Sequence, residues 1–242
     1  MKKRLSILIT IIILLLPFYV KASETETEVV KYYKTTVLKN PLQSLNNNHL
    51  YVSDTIEVTE EEYNNSDNLI PRTVTVETTY KKLSVSIIKY GSAFYEYKAV
   101  LNWKQIPSTR SYDILGIGYY PSVKVAGNAD FEEYYCLSGG SCFTNTSYYQ
   151  KITSGGTGVV FALPSGSLST LKQTLILIVE KTNSSSTITS QKAVGDYAHA
   201  TSTISYSNAK NFTVDVFGID VGSNINYYDD MPYAAATWTG TW

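Results

Sequence analysis

Few residues in this chain have the type and spacing to do chemistry. In the run WKQIPSTRSYDILGIG, Trp103 to Gly118, Arg110 stands three residues before the carboxylate of Asp113. Such a pair could grip an anionic ligand, with Trp103 or Tyr112 as a stacking platform. It could equally pin a chain crossing, because a guanidinium fork can bond a carboxylate and spare backbone carbonyls together. The loop favours the second role. Pro107 fixes its own φ and pushes Ile106 toward an extended shape, and Ser108-Thr109 suits a turn. Trp103, Pro107, Arg110 and Asp113 are therefore read as a structural corner between two strands, with Arg110 engaged by Asp113.

The remaining candidates for catalysis are weak. The two histidines are His49 and His199, the latter in Tyr-Ala-His-Ala. A serine triad on His199 needs a serine on a strained turn, yet no G-x-S-x-G occurs, and Gly166-Ser167 and Gly140-Ser141 lack that frame. Glycoside hydrolysis needs two carboxylates flanking a bond, and Glu96, Asp113, Asp215, Asp220, Asp229 and Asp230 are all available. Nothing in their spacing singles out a pair. Glu60-Glu61-Glu62 lacks the alternating ligands and glycine of a calcium loop, and although His199 with Asp229 could hold a metal, a hydrogen-bonded structural His is the commoner case. No catalytic residue, metal or cofactor is assigned. Cys136 and Cys142 match neither a C-x-x-C redox site nor a zinc set. In an exported chain they read as a disulfide closing a small loop, contributing about 2.4 kcal/mol for a loop of roughly seven residues.

The ends point to export. Residues 1–22 combine Lys2-Lys3-Arg4, an apolar run from Leu5 to Val20, and the small-residue site Val20-Lys21-Ala22. That is the pattern of a signal peptide, and Pro17 argues against a retained anchor. Without Lys2, Lys3, Arg4 and Lys21, the chain keeps 16 basic against 21 acidic residues, a net charge of −5. No basic stripe is available for phosphates, so nucleic acid is excluded as a partner. The negative excess lies in the N-terminal quarter, where Ser23 to Thr78 holds 10 acidic and 4 basic residues. With its NNNHL and EVTEEEYNNSDN patches, segment 23–70 is expected to order only in part, as one docked strand.

From Pro71 the pattern alternates. Leu83, Val85 and Ile87 share one face, and after a turn at Gly91-Ser92 so do Tyr95, Tyr97, Ala99, Leu101 and Trp103, which predicts an antiparallel hairpin. Further strands are expected over 113–120, 148–153, 158–163, 173–181, 201–207, 212–219 and 234–242. A short helical turn is expected around Leu168 to Lys172. The run Thr174 to Val179 is apolar at both parities and predicts a central strand covered on each side. Residues 71–242 should thus form a single all-β domain, an antiparallel β-sandwich of jelly-roll or immunoglobulin-like type, around a purely apolar interior.

The segments W-K-x-I-P-S-T-R-S-Y-D, Tyr197-Ala198-His199-Ala200 and Tyr227-Tyr228-Asp229-Asp230-Met231 occur in this order. In this the chain resembles a group of uncharacterised secreted proteins of Gram-positive bacteria over roughly Thr78 to Met231. The resemblance implies a single secreted domain and no particular activity, and the Cys136–Cys142 loop is not a feature of that group. Twenty-one tyrosines, several in adjacent pairs such as Tyr119-Tyr120, Tyr134-Tyr135, Tyr148-Tyr149 and Tyr227-Tyr228, should place some rings outward, where they could stack on sugars. The functional expectation is a secreted, non-catalytic binding module at the cell surface or beyond it, with a surface glycan or protein as partner. Once the signal is removed, no stable membrane insertion is expected. The alternatives are a glycan- or wall-active hydrolase and, with too few outward apolar residues for a barrel, a pore-forming protein.

Overall fold

A computed structural model describes residues 29–37, 52–58, 72–90 and 93–242, with the backbone alone at 29–37, 52–58, 72, 90 and 230. The signal-like residues 1–22, His49 and the Glu60–Glu62 run lie outside the described residues.

The alternating sequence from Arg72 onward folds as an all-β antiparallel sandwich, as its two-residue period predicts. The large sheet runs in the order β2 (Val52–Val58), β1 (Val29–Val37), β3 (Arg72–Glu77), β4 (Lys81–Tyr90), β5 (Phe94–Trp103), β12 (Leu168–Lys181), β8 (Asp130–Leu137) and β9 (Cys142–Asn145), and the short β7 (Val123–Val125) also pairs with β12. The small sheet runs β10 (Tyr149–Ile152), β11 (Gly156–Ala162), β6 (Tyr112–Tyr119), β13 (Ser190–Ala200) and β16 (Tyr228–Asp230), with β17 (Ala234–Thr239) on the other half of β13. Two stretches of the acidic N-terminal segment, β1 and β2, extend the large sheet beyond β3.

The facing surfaces bury Leu83, Val85 and Ile87 of β4, Tyr95, Tyr97 and Leu101 of β5, and Leu171, Leu175 and Leu177 of β12 against Leu115, Ile117 and Tyr119 of β6. The C-terminal segment docks onto this core: Trp238 and Trp242 close edge-on over Tyr95, with ring centroids 5.0 and 4.5 Å away. The sheets approach closely at Gly195 of β13, where a Cβ would stand 2.1 Å from Val85 Cγ2.

Four expectations are corrected. Leu168 to Lys172 continues β12 as strand, because Leu168 and Leu171 are drawn into the same core. Thr201 to Ser207 is a loop leading into a one-turn helix, Tyr206–Ala209, capped by the Ser205 hydroxyl. Residues 212–219 are two short strands, β14 (Thr213–Asp215) and β15 (Gly218–Asp220), pairing with each other as a third layer on the outer face of the small sheet. That layer and residues 201–227 form a second apolar cluster with Ile114, Val160, Ala198, Phe212 and Val214. By contrast, Thr174, Ile176 and Ile178 stay only partly buried, so β12 is central but covered on one face.

Candidate functional site

The Trp103 to Asp113 loop joins the large sheet to the small one, and Arg110 ties it down. Its Nε donates to the Pro107 carbonyl at 2.7 Å and a terminal nitrogen donates to the Pro164 carbonyl at 2.6 Å. Partial burial draws the guanidinium pKa below its ordinary value, against the opposing influence of Asp113. The expected contact between the two is corrected: Asp113 makes no ion pair with Arg110 and turns inward instead.

This inward turn follows from strand parity. Asp113 shares the inner face of β6 with Leu115, Ile117 and Tyr119, and is fully buried. Its carboxylate accepts from the backbone N–H of Ala200 and the Nδ1 side of His199, both at 2.9 Å, and from the Tyr197 hydroxyl. Burial, together with the Asp113 charge and hydrogen bond, holds the Tyr197 phenol well above its usual pKa. Asp113 is thus the acceptor that lets three donors sit between the sheets. The interior is therefore not purely apolar, and that expectation is overturned.

A second charged pair lies beside it. Lys81, 1% exposed, opens β4 opposite Trp103 and bonds Asp229 through Nζ at 2.9 Å. Its ammonium stands 5.4 Å from the Trp103 ring centroid and 5.8 Å from that of Tyr197. Asp229 faces His199 across the β13–β16 pairing, and its other oxygen accepts from the His199 backbone N–H at 3.1 Å. Trp103 packs edge-on against the His199 ring at 5.0 Å, and its buried Nε1 has no hydrogen-bond partner.

The next row of the large sheet carries Leu101, Gln173, Glu133 and Asn145 on successive strands. Glu133 is buried and accepts from Gln173 at 3.0 Å and from Asn145 at 3.2 Å. Desolvation pushes its carboxyl up to about 7, with Asp113 on the opposing sheet acting in the same direction. Neither Glu133 nor Lys81 stood out in the sequence. Each sits at an inward position of a strand, but inwardness alone does not distinguish a buried ionic residue from a strand-end charge.

As triad chemistry, the cluster lacks a serine or cysteine beside its imidazole among the described residues. An imidazole oriented by a buried carboxylate resembles two-thirds of a triad. However, His199 is 7% exposed and its ring packs on Trp103, and among the described residues no serine or cysteine side chain bonds it. Also among the described residues, no three His, Cys, Asp or Glu side chains gather as a metal site. The remaining carboxylates are scattered: Asp215 and Asp220 cap the turns at Phe217 and Gly222, Glu96 lies half-buried on β5, and the Asp230 side chain is outside the described residues.

On the outer side of the small sheet is a cavity of about 160 Å³ lined by Asp196, Ala198, Ile219, Val221, Ile225, Tyr228 and Asp229. Asp196 is held by the backbone N–H groups of Tyr197 and Ile219, both at 2.7 Å. Burial raises the Tyr228 phenol pKa above its usual value, and its hydroxyl donates to the Tyr112 carbonyl. Ile225 is 66% exposed and Phe217 82%, with Tyr227 exposed beside Tyr228 in the chain. Elsewhere, Cys136 and Cys142 form the disulfide read from the sequence, directly across the β8–β9 hairpin.

No protein-family model and no curated protein matches the sequence. Among solved structures, a chain of "Complete structure of manganese lipoxygenase of Gaeumannomyces graminis and partial structure of zonadhesin of Komagataella pastoris" is similar over 93% of this chain and 79% of its own, at 11% identity and a TM-score of 0.29. A likeness that slight carries nothing about function.

Proposed function

We propose that this chain is an exported, non-catalytic binding module that takes a terminal sugar residue of a surface glycan on the outer face of its small sheet. The cavity carries the reading. The Asp196 carboxylate offers acceptors for sugar hydroxyls, while Ile225 and Tyr228 supply an apolar wall, with the exposed ring of Tyr227 next to Tyr228 in the chain. About 160 Å³ is small beside the roughly 300 Å³ at which drug-sized pockets begin, which suits one ring rather than an extended chain. The Asp196 carboxylate is held by the backbone N–H groups of Tyr197 and Ile219, a role that favours a fixed acceptor over a mobile acid or base. The N-terminal pattern and the disulfide support export.

The test is a glycan array and a whole-cell pull-down with the full chain, alongside Ile225→Asp and Tyr227→Ala variants. Both side chains are exposed, so the fold should persist while binding falls at least tenfold. Unchanged binding in both variants, glycan hydrolysis by the wild type, or liposome leakage without glycan binding would each overturn the proposal.

A further inference from the structure

We infer that Lys81 and Asp229 form a site of intramolecular amide formation, an isopeptide cross-link joining the large sheet to the small one. The pair is placed for it. Lys81 is enclosed, its ammonium bonds Asp229 Oδ2 at 2.9 Å and no other side chain among the described residues, and the Trp103 and Tyr197 rings lie within 6 Å of it. The other carboxyl oxygen, Oδ1, already holds the His199 backbone N–H at 3.1 Å, a fixed donor where negative charge would develop during attack on Cγ. Burying the Lys81 ammonium is costly even beside its half-exposed carboxylate partner, and an amide carries no charge. The partners are held face to face by strands 148 residues apart, which removes most of the entropic barrier to their meeting.

The reaction balances without a co-reactant. The ammonium passes one proton to Oδ2 along the existing hydrogen bond, and the freed lone pair attacks Cγ to form the N–C bond. The oxyanion on Oδ1 rests against the His199 N–H. A second proton moves from nitrogen to Oδ2, the Cγ–Oδ2 bond breaks, and one water leaves. Nothing is oxidised or reduced. Asp229 also lines the outer cavity, which gives that water a way out. The product would bolt the start of β4 to β16, and it stands independently of any ligand in the cavity.

Mass spectrometry of the full chain decides the matter. After reduction, denaturation and digestion, the wild type should yield a branched peptide joining the segments around Lys81 and Asp229, lighter than their sum by one water. Trypsin should fail to cut after Lys81. Lys81→Arg keeps the charge but removes the amine, and should give two separate peptides and a slower band on a denaturing gel. Separate unmodified peptides from the folded wild type, or a water loss mapping to any other residue pair, would refute the cross-link whether or not the variant folds.

Discussion

At the scale of single residues, the corner and the buried cluster separate two roles that the sequence places only three positions apart. Arg110 is half on the surface and bonds two carbonyls that water could otherwise satisfy, so Arg110→Ala should cost about 1 to 2 kcal/mol. Asp113 has no such substitute. Asp113→Ala strands the Tyr197 hydroxyl, the His199 ring and the Ala200 N–H inside the sandwich and should cost about 3 to 5 kcal/mol. Asp113→Asn, which keeps one carbonyl acceptor, should fall between them. Urea denaturation of the three variants checks the order, and an Arg110→Ala loss as large as that of Asp113→Ala would return the two residues to one ion-paired unit.

At the scale of elements, the outer layer depends on a backbone contact that tolerates no side chain. A Cβ on Gly118 of β6 would stand 1.8 Å from the Asp215 carbonyl oxygen. Gly118→Ala must therefore push the β14–β15 hairpin off the small sheet, at about 1 to 3 kcal/mol by the usual cost of overpacking. Hydrogen exchange should quicken in β14 and β15 while β4 and β5 keep their protection, and because Ile219 of β15 lines the cavity, ligand binding should weaken too. This layer also shows where legibility ended. The β4–β5 hairpin was plain because Leu83 to Ile87 and Tyr95 to Trp103 alternate cleanly between core and solvent. Strand β13 was not, since Ala193, Gly195, Ala198 and Ala200 are poor strand formers that sit there only because both faces are covered at close range. Strands β8 and β9 were obscured by their acidic and polar outward positions. Of the polar cluster, Trp103, Asp113, Tyr197, His199 and Asp229 stood in quotable motifs, but Lys81 and Glu133 became partners only when remote strands brought their inward positions together.

At the scale of the whole molecule, a sandwich that buries a carboxyl between its sheets must have a stability that depends on pH, and the sign follows from Glu133. In the unfolded chain this group titrates near its ordinary 4.5, and in the folded protein near 7. Below 4.5 both states hold the proton and burial costs nothing extra. As pH rises, the unfolded chain loses its proton first, so stability falls until the folded carboxyl also ionises near 7, and is flat above that. The gap corresponds to about 3 kcal/mol lost across that window. Glu133→Gln retains an amide oxygen to accept from Gln173 and Asn145 and does not titrate. The wild type minus variant difference in unfolding free energy should therefore slope downward from about pH 4.5 to about pH 7, a range set by the same two values. Glu133 faces Asp113 across the sandwich, so its ionisation also places a second negative charge near a carboxylate that already anchors three donors. A difference curve that is flat, or that rises toward neutral pH, would mean that Glu133 is solvated as a charge in the folded state and that the polar layer is open to water.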